Sequence, residues 1–422
     1  MLAKLSLKAT LVALPLLAAV TQAVPSRIHL EPRAADFDYN NQKVRGVNAG
    51  GWLLTEPWIT PSLYDAAGDA AVDEWTYCET LGKEEAKARL SKHWDTFITE
   101  CDFHKMARAG LTHVRIPVGY WAVSITEDEP FVAGQLEYLD KAITWARAAN
   151  LKVMVDLHGA PGSQNGFDNS GRRGPIRWQT GNNVERTAAV FDVLAKRYAK
   201  ETDVVEGIQA INEPFVPAGV NLNGLKDYYH TAWDELRDHN DRTTLVLHDG
   251  FLPTDSWNGF MSGPDRYVMM DTHHYQVFNT DLLYMDINAH VNTVCRLGYD
   301  HLRKVDKWTI CGEWSGALTD CAKYLNGRGL GARYDGTYDG SPYIGSCAGK
   351  SHGTVAALPD EDKAHLRRFI EAQLVVFERA NGWVFWTWKT EGAPEWDMQQ
   401  LLDEGLFPQP LTDRDFGAPC SY

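Results

Sequence analysis

The stretch Val204-Val205-Glu206-Gly207-Ile208-Gln209-Ala210-Ile211-Asn212-Glu213 decides the fold. It is short, apolar and rich in β-formers, and it ends on a carboxylate. Helical periodicity runs up to it over residues 184–200 and away from it over 225–239. A strand with a helix on either side is the unit of a parallel sheet, because parallel neighbours can be joined only through a crossover. Segments of the same kind lie at 44–48, 112–117, 151–158, 244–250, 267–275, 308–313 and 382–388. Further helical stretches fall at 84–109, 136–150, 287–304 and 361–380, and Gly110 and Asn150 are placed to cap two of them. Eight strands separated by crossovers predict an α/β chain closed into a (β/α)8 TIM barrel, one domain over 34–422 with loop insertions at the C-terminal face. Gly46, Gly50 and Gly51 have the wrong spacing for a dinucleotide-binding turn, which argues against an open doubly wound sheet. The connection 316–359, rich in Gly, Tyr and Asp, is too long for a bare link and reads as an ordered insertion over the barrel mouth.

Composition narrows what such a barrel binds. The net charge of -15 and pI near 5.4 exclude a nucleic-acid or anionic-membrane partner, both of which demand a basic surface. A neutral ligand is compatible, and 15 Trp and 17 Tyr supply flat rings of the kind that sugars stack on, although most of them belong to the core.

The N-terminus carries an export signature. Lys4 and Lys8 precede the apolar run 9–20, and Thr21-Gln22-Ala23 follows in the pattern of a signal-peptidase site, so 1–23 reads as a signal peptide. Residues 24–33 read either as a short pro-segment cut after an arginine or as a plain terminus. No later stretch is apolar enough to span a bilayer. Export makes disulfides the expected state of the seven cysteines and leaves one odd thiol, for which Cys311, inside an apolar run, is the candidate. Spacing alone leaves the connectivity open. No cluster of ligands has metal-site spacing, so neither metal nor other cofactor is expected.

In a (β/α)8 barrel the chemistry sits at the C-terminal ends of the strands, and here those ends are polar. They hold Arg115, Asp156-Leu157-His158, Asn212-Glu213-Pro214, His273-His274-Tyr275, Gly312-Glu313-Trp314 and Trp386-Thr387-Trp388. Glu213 and Glu313 each end an apolar run with no partner nearby in sequence, where an unpaired charge is costly. Either glutamate alone is more economically read as a structural ion pair. Two of them, on strands facing each other across one mouth, fit glycoside hydrolysis, which needs one carboxylic acid and one carboxylate.

Asn212-Glu213-Pro214 followed by Gly312-Glu313-Trp314-Ser315 resembles glycoside hydrolase family 5, and within it the fungal exo-β-1,3-glucanases. The resemblance extends through Arg45-Gly46-Val47-Asn48, Gly51-Trp52-Leu53, residues 114–121, 156–169 and 383–389. It implies a secreted retaining enzyme that releases glucose from the non-reducing end of β-1,3-glucan, with Glu213 as acid/base and Glu313 as nucleophile. Arg115, His158, Asn212, His273 and Tyr275 would surround them, with Arg115 and Tyr275 near the nucleophile and Asn212 toward the sugar 2-hydroxyl. Glu56, Asp168 and Asn169 match positions that hold the hydroxyls of the terminal glucose. Phe167 and Phe278 match an aromatic pair flanking the entrance, and Trp386 a platform beneath the reactive sugar. The bridges implied are Cys321 to Cys347 and Cys295 to Cys420, with Cys78 and Cys101, a departure from some relatives, available for a third. The expected partner is the glucan itself, and the expected state a monomer, extracellular or wall-associated. The rival readings are a β-glucosidase, β-1,6-glucanase or endo-cellulase of the same family, and a non-catalytic glucan-binding protein of the cell wall.

Overall fold

A computed structural model describes residues 37–263 and 266–420. The expected signal peptide and pro-segment therefore lie outside the described residues. Strand β1 (Val44–Asn48) is followed by helices α1 (Pro61–Asp65), α2 (Glu74–Leu81), α3 (Lys83–Thr96) and α4 (Glu100–Arg108), then by β2 (His113–Gly119) and α5 (Gln135–Ala149). Next come β3 (Lys152–Gly159), α6 (Asn183–Tyr198), β4 (Val205–Gln209), α7 (Leu222–His239), β5 (Thr244–His248) and β6 (Val268–His274). The chain continues through α8 (Thr280–Leu283), α9 (Ile287–Asp300), β7 (Trp308–Trp314), α10 (Asp360–Phe377), β8 (Gly382–Phe385) and α11 (Met398–Asp403). The strands pair in chain order, all parallel, and β8 returns to β1, so the sheet is a closed eight-stranded barrel.

Two departures from the sequence reading, and one connection that it left without a helix, have local causes. The helical stretch at 84–109 is two helices, because Thr99 and Asp102 form a capping box, with Asp102 Oδ2 accepting from Thr99 N at 2.9 Å, and so begin a new helix. Between β5 and β6 the described residues contain only a 3-10 turn, Thr254–Trp257, which the buried Trp257 pins by donating to Asp249 O at 2.9 Å. The fourth strand ends at Gln209 instead of Glu213. Beyond it the chain stays alongside the barrel through Ala210 N to Val246 O and Asn212 N to Leu157 O. Asn150 does close α5, in the left-handed conformation at φ 57°.

The inside of the barrel changes character along its axis. Val44, Met154, Val246, Met269, Ile310 and Val384, one from each of six strands, form a single buried cluster that fills the floor. Two residues further along β3, β5 and β6, on the same face by strand alternation, stand Asp156, His248 and Asp271. The apolar floor thus gives way to a buried polar layer under the mouth.

The insertion 316–359 is ordered. The Cys321–Cys347 disulfide closes it, and Arg328 binds it to α1 by donating to the carbonyls of Tyr64 at 3.1 Å, Gly68 at 2.6 Å and Ala71 at 2.9 Å. Its Ala322 and Leu325 share an apolar cluster with Trp58, Trp386 and Trp396. The second disulfide joins Cys295 on α9 to Cys420. Cys78, Cys101 and Cys311 are free, which corrects the expectation of a third bridge and of a single odd thiol. The reason is orientation: Cys78 points from α2 into the core, whereas Cys101 lies exposed in the first turn of α4.

Candidate active site

Glu313 lies on β7 beside His273 of β6, its register partner just after a bulge in the ladder. A bulge re-aims side chains, and here both turn to the same cavity. One carboxylate oxygen of Glu313 accepts from Arg115 Nη1 at 2.9 Å and the other from the Tyr275 hydroxyl at 2.9 Å. Arg115 has no acceptor atom and the Tyr275 hydroxyl gives its proton to the second oxygen, so the carboxylate is fixed in orientation.

Glu213 reaches the same cavity from the far side of the barrel. Its backbone sits at φ 46°, a left-handed conformation that costs free energy for a residue other than glycine and that is found preferentially at functional sites. Oε1 meets His273 Nδ1 at 2.7 Å, and Oε2 accepts from Asn169 Nδ2 at 3.1 Å. The same His273 Nδ1 lies 3.4 Å from Glu313 Oε2. One imidazole nitrogen therefore joins the two glutamates.

Beneath them Arg115 organises the polar layer. It donates through Nε to Gln209 at 2.9 Å, through Nη1 also to Asn48 at 2.9 Å and through Nη2 to Asn212 at 2.7 Å, and it pairs with Asp156 at 3.1 Å. Gln209 continues to Asp271 at 3.0 Å, and Asp271 also accepts from Gly312 N at 2.7 Å. Gly312 is required here, because a Cβ would lie 2.2 Å from that carboxylate oxygen. Asp156 holds His158 Nδ1 at 2.6 Å, and the His158 ring stacks on Trp386 at 5.4 Å and 13°. Every charge in the layer is paired or hydrogen-bonded, the condition for burying it.

The titration pattern follows from these contacts. Burial would push His273 down, but the carboxylates of Glu313 and Asp271 and the hydrogen bonds to Asp271 and Glu213 prevail and hold it well above the usual histidine value. Burial pushes Glu213 up, yet the bond and charge of His273, with Asn169, bring it below the ordinary carboxyl value. For Glu313 burial prevails over His273 and Arg115, and its value is raised. His273 thus holds its proton more firmly than a free imidazole, between two glutamates of opposite shift, and the three titrate as one unit.

Of the expected site residues, the structure brings Arg115, His158, Asn212, His273, Tyr275 and Trp386 together around the two glutamates. Asn169 stands beside them, its amide donating to Glu213. Glu56 and Asp168 are buried, and each has one oxygen with no hydrogen-bond partner, Glu56 Oε1 and Asp168 Oδ2. Burial, then the charge of Asp168, raises Glu56 well above the usual carboxyl range, and burial with the charge of Asp73 pushes Asp168 up to about 7. Phe167 and Phe278 are exposed, the first packed on Phe215 and the second on Tyr275 and Trp396.

Sequence reasoning missed Asn48, Gln209 and Asp271, whose only signal was a polar side chain within an apolar strand. It also missed that Glu213, His248 and His273 bring possible ligand atoms within 4.8 Å of one another. Hydrogen bonds already engage most of those atoms: His273 uses both nitrogens, on Glu213 and Asp271, and His248 Nδ1 accepts from Gly250 N at 3.0 Å.

A parallel eight-stranded barrel with two carboxylates converging at the strand ends is the architecture of a glycoside hydrolase, and the chain belongs to glycosyl hydrolase family 5. The family described as cellulase (glycosyl hydrolase family 5) matches residues 78–327. A protein of Aspergillus niger named "Probable glucan 1,3-beta-glucosidase A" is 60% identical over 99% of both chains. One of Blumeria graminis named "Glucan 1,3-beta-glucosidase" is 52% identical over 98% of this chain and 97% of its own. Among solved structures, the rutinosidase of Aspergillus niger superposes with a TM-score of 0.70 at 21% identity over 89% of this chain and 100% of its own, a likeness of fold.

Proposed function

We propose that this enzyme releases glucose from the non-reducing end of β-1,3-glucan with retention of configuration, Glu313 attacking the anomeric carbon and Glu213 serving as acid and then base. The observation that carries the reading is the shared imidazole. Glu213 Oε1 and Glu313 Oε2 both lie against His273 Nδ1, at 2.7 and 3.4 Å, so these two oxygens can be no further apart than the two distances combined. That ceiling, about 6 Å for this pair of oxygens, is compatible with the roughly 5 to 5.5 Å between the carboxyl groups of retaining enzymes, the spacing of direct attack. The fixed orientation of Glu313 between Arg115 and Tyr275 suits a nucleophile.

In the resting site the proton needed by the leaving group sits on His273. Its movement along the 2.7 Å bond to Glu213 arms the acid, and the imidazole keeps its second hydrogen bond to Asp271 at Nε2. Burial by the sugar favours this neutral arrangement over the charged pair. The unpartnered oxygens of Glu56 and Asp168 suit two hydroxyls of a terminal glucose, which makes the enzyme exo-acting. The names of the full-length relatives support the β-1,3 linkage. The segment 1–23 and the two disulfides support export to the cell exterior or wall.

Chemical rescue tests the roles. Glu313→Ala with azide is expected to yield the α-glucosyl azide, and Glu213→Ala, given an activated aryl glucoside, the β-anomer. The same anomer from both variants would refute the assignment. On β-1,3-linked oligosaccharides glucose should be the first product, and release of internal fragments would remove the exo reading.

A further inference from the structure

The loop after β3 carries Phe167, Asp168 and Asn169, and residues on either side of these line two adjoining cavities of 260 and 230 Å³. The cavities share Gly162, Ser163, Arg172 and Arg177, and Arg173 lines the second. In a chain of net charge -15 this is a concentration of guanidinium groups, and Arg172, Arg177 and Arg186 outnumber the two carboxylates, Asp128 and Glu129, that line the first cavity. The cavity's Glu129 is engaged by Arg186 through two bonds of 3.0 Å. Asp128 is the remaining carboxylate, and it accepts from Thr126. Arg173 donates to a carbonyl, that of Arg328, at 3.0 Å, and its charge also acts on the Asp168 carboxyl. Arg172 and Arg177 have no hydrogen-bond or ion-pair partner for their side chains among the described residues.

Arg172 is nonetheless held in place. Its guanidinium carbon lies 3.8 Å from the centroid of the Trp75 ring, which packs at right angles to Phe131 at 5.3 Å. Stacking fixes a guanidinium while leaving its N–H donors available, the state that favours binding a planar or tetrahedral oxyanion. It also covers the face of Trp75 that a neutral sugar would need. With Glu129 taken by Arg186, the guanidinium groups of Arg172 and Arg177 exceed the charge left on Asp128, and an anion relieves the repulsion between them.

We propose that these cavities form a phosphate-binding subsite built by Arg172, Arg173 and Arg177, separate from the catalytic glutamates. The recognised group is a phosphate dianion, either free or esterified to a saccharide. The cavities fall just below the size usual for drug-like ligands, which suits a phosphorylated monosaccharide unit.

Isothermal titration of the full enzyme at low ionic strength with inorganic phosphate, glucose 6-phosphate and glucose tests this. Saturable binding of phosphate is expected, weakened by added salt. It should be about tenfold weaker in Arg177→Gln, the loss of one charge-assisted bond, and absent in the double variant Arg172→Gln, Arg177→Gln. Because the Arg177 side chain has no partner, its variant should keep the wild-type melting temperature and wild-type turnover of an aryl glucoside. Tighter binding of glucose 6-phosphate than of phosphate, lost in the same variants, would identify the ester as the source, and equal binding the free anion. No saturable binding by either phosphate, or unchanged affinity in Arg177→Gln, would overturn the proposal.

Discussion

Asp168 shows how one side chain can weaken the fold and serve the ligand. It is buried, one of its oxygens has no partner, and its value is pushed up to about 7. A carboxyl with a raised folded-state value favours the folded state fully below the unfolded-chain value, and this advantage is lost as the pH rises through the folded-state value. Folding at pH 7 therefore forces a group that ionises freely in the unfolded chain to stay protonated or to ionise while buried. Asp168→Asn removes the conflict. Its melting temperature relative to wild type should rise steadily between pH 4 and pH 7, the gain at pH 7 being at most about 4 kcal/mol. On the proposal that the orphan oxygen takes a glucose hydroxyl, KM for β-1,3-linked oligosaccharides should rise in the same variant. A stability difference that does not change with pH would refute the account.

At the scale of elements, Arg328 is the main polar clamp between the insertion 316–359 and α1. Arg328 satisfies three carbonyls of α1 and the turn after it, and Lys323 and Tyr324 of the insertion both bond Asp65. Arg328→Ala would leave these carbonyls unpaired and is expected to cost about 2 to 4 kcal/mol. Hydrogen exchange should quicken in 61–71 and 316–359 while the barrel strands stay protected. Uniform acceleration across the barrel would show that the clamp is not local. The thiols offer a second check on element placement. Under native conditions an alkylating reagent should modify Cys101 alone, since Cys78 and Cys311 are buried, with thiol values raised by burial.

For the whole molecule, the bridge from Cys295 to Cys420 spans 125 residues, against 26 for Cys321 to Cys347. Restricting the unfolded chain over a longer loop stabilises more, about 4 to 5 kcal/mol for the first and about 3 for the second, where strain does not intervene. Denaturant unfolding of Cys295→Ala, Cys420→Ala should thus show the larger loss, and the reverse order would mean that loop entropy is not the governing term.

The barrel itself was legible in the sequence, because a buried parallel strand is an apolar run and its crossover helix has a 3.6-residue period, and both are local patterns. So were Glu213 and Glu313, since a carboxylate that ends an apolar run has no local partner. Asn48, Gln209 and Asp271 were not legible: their partners lie on other strands, and only closure of the barrel brings Arg115 to all of them. The same limit hid the double contact of His273, which needs the bulge at Gly312 of β7 and the left-handed backbone of Glu213. It also suggested a bridge between Cys78 and Cys101, which spacing allows and opposite orientations forbid. Sequence by itself determined which segments form the barrel and which residues stand at its mouth, because periodicity and burial act along the chain. Tertiary structure alone decided which of those residues touch, how their protons are shared and where charge is left unpaired, because these depend on distances between segments that no local pattern encodes.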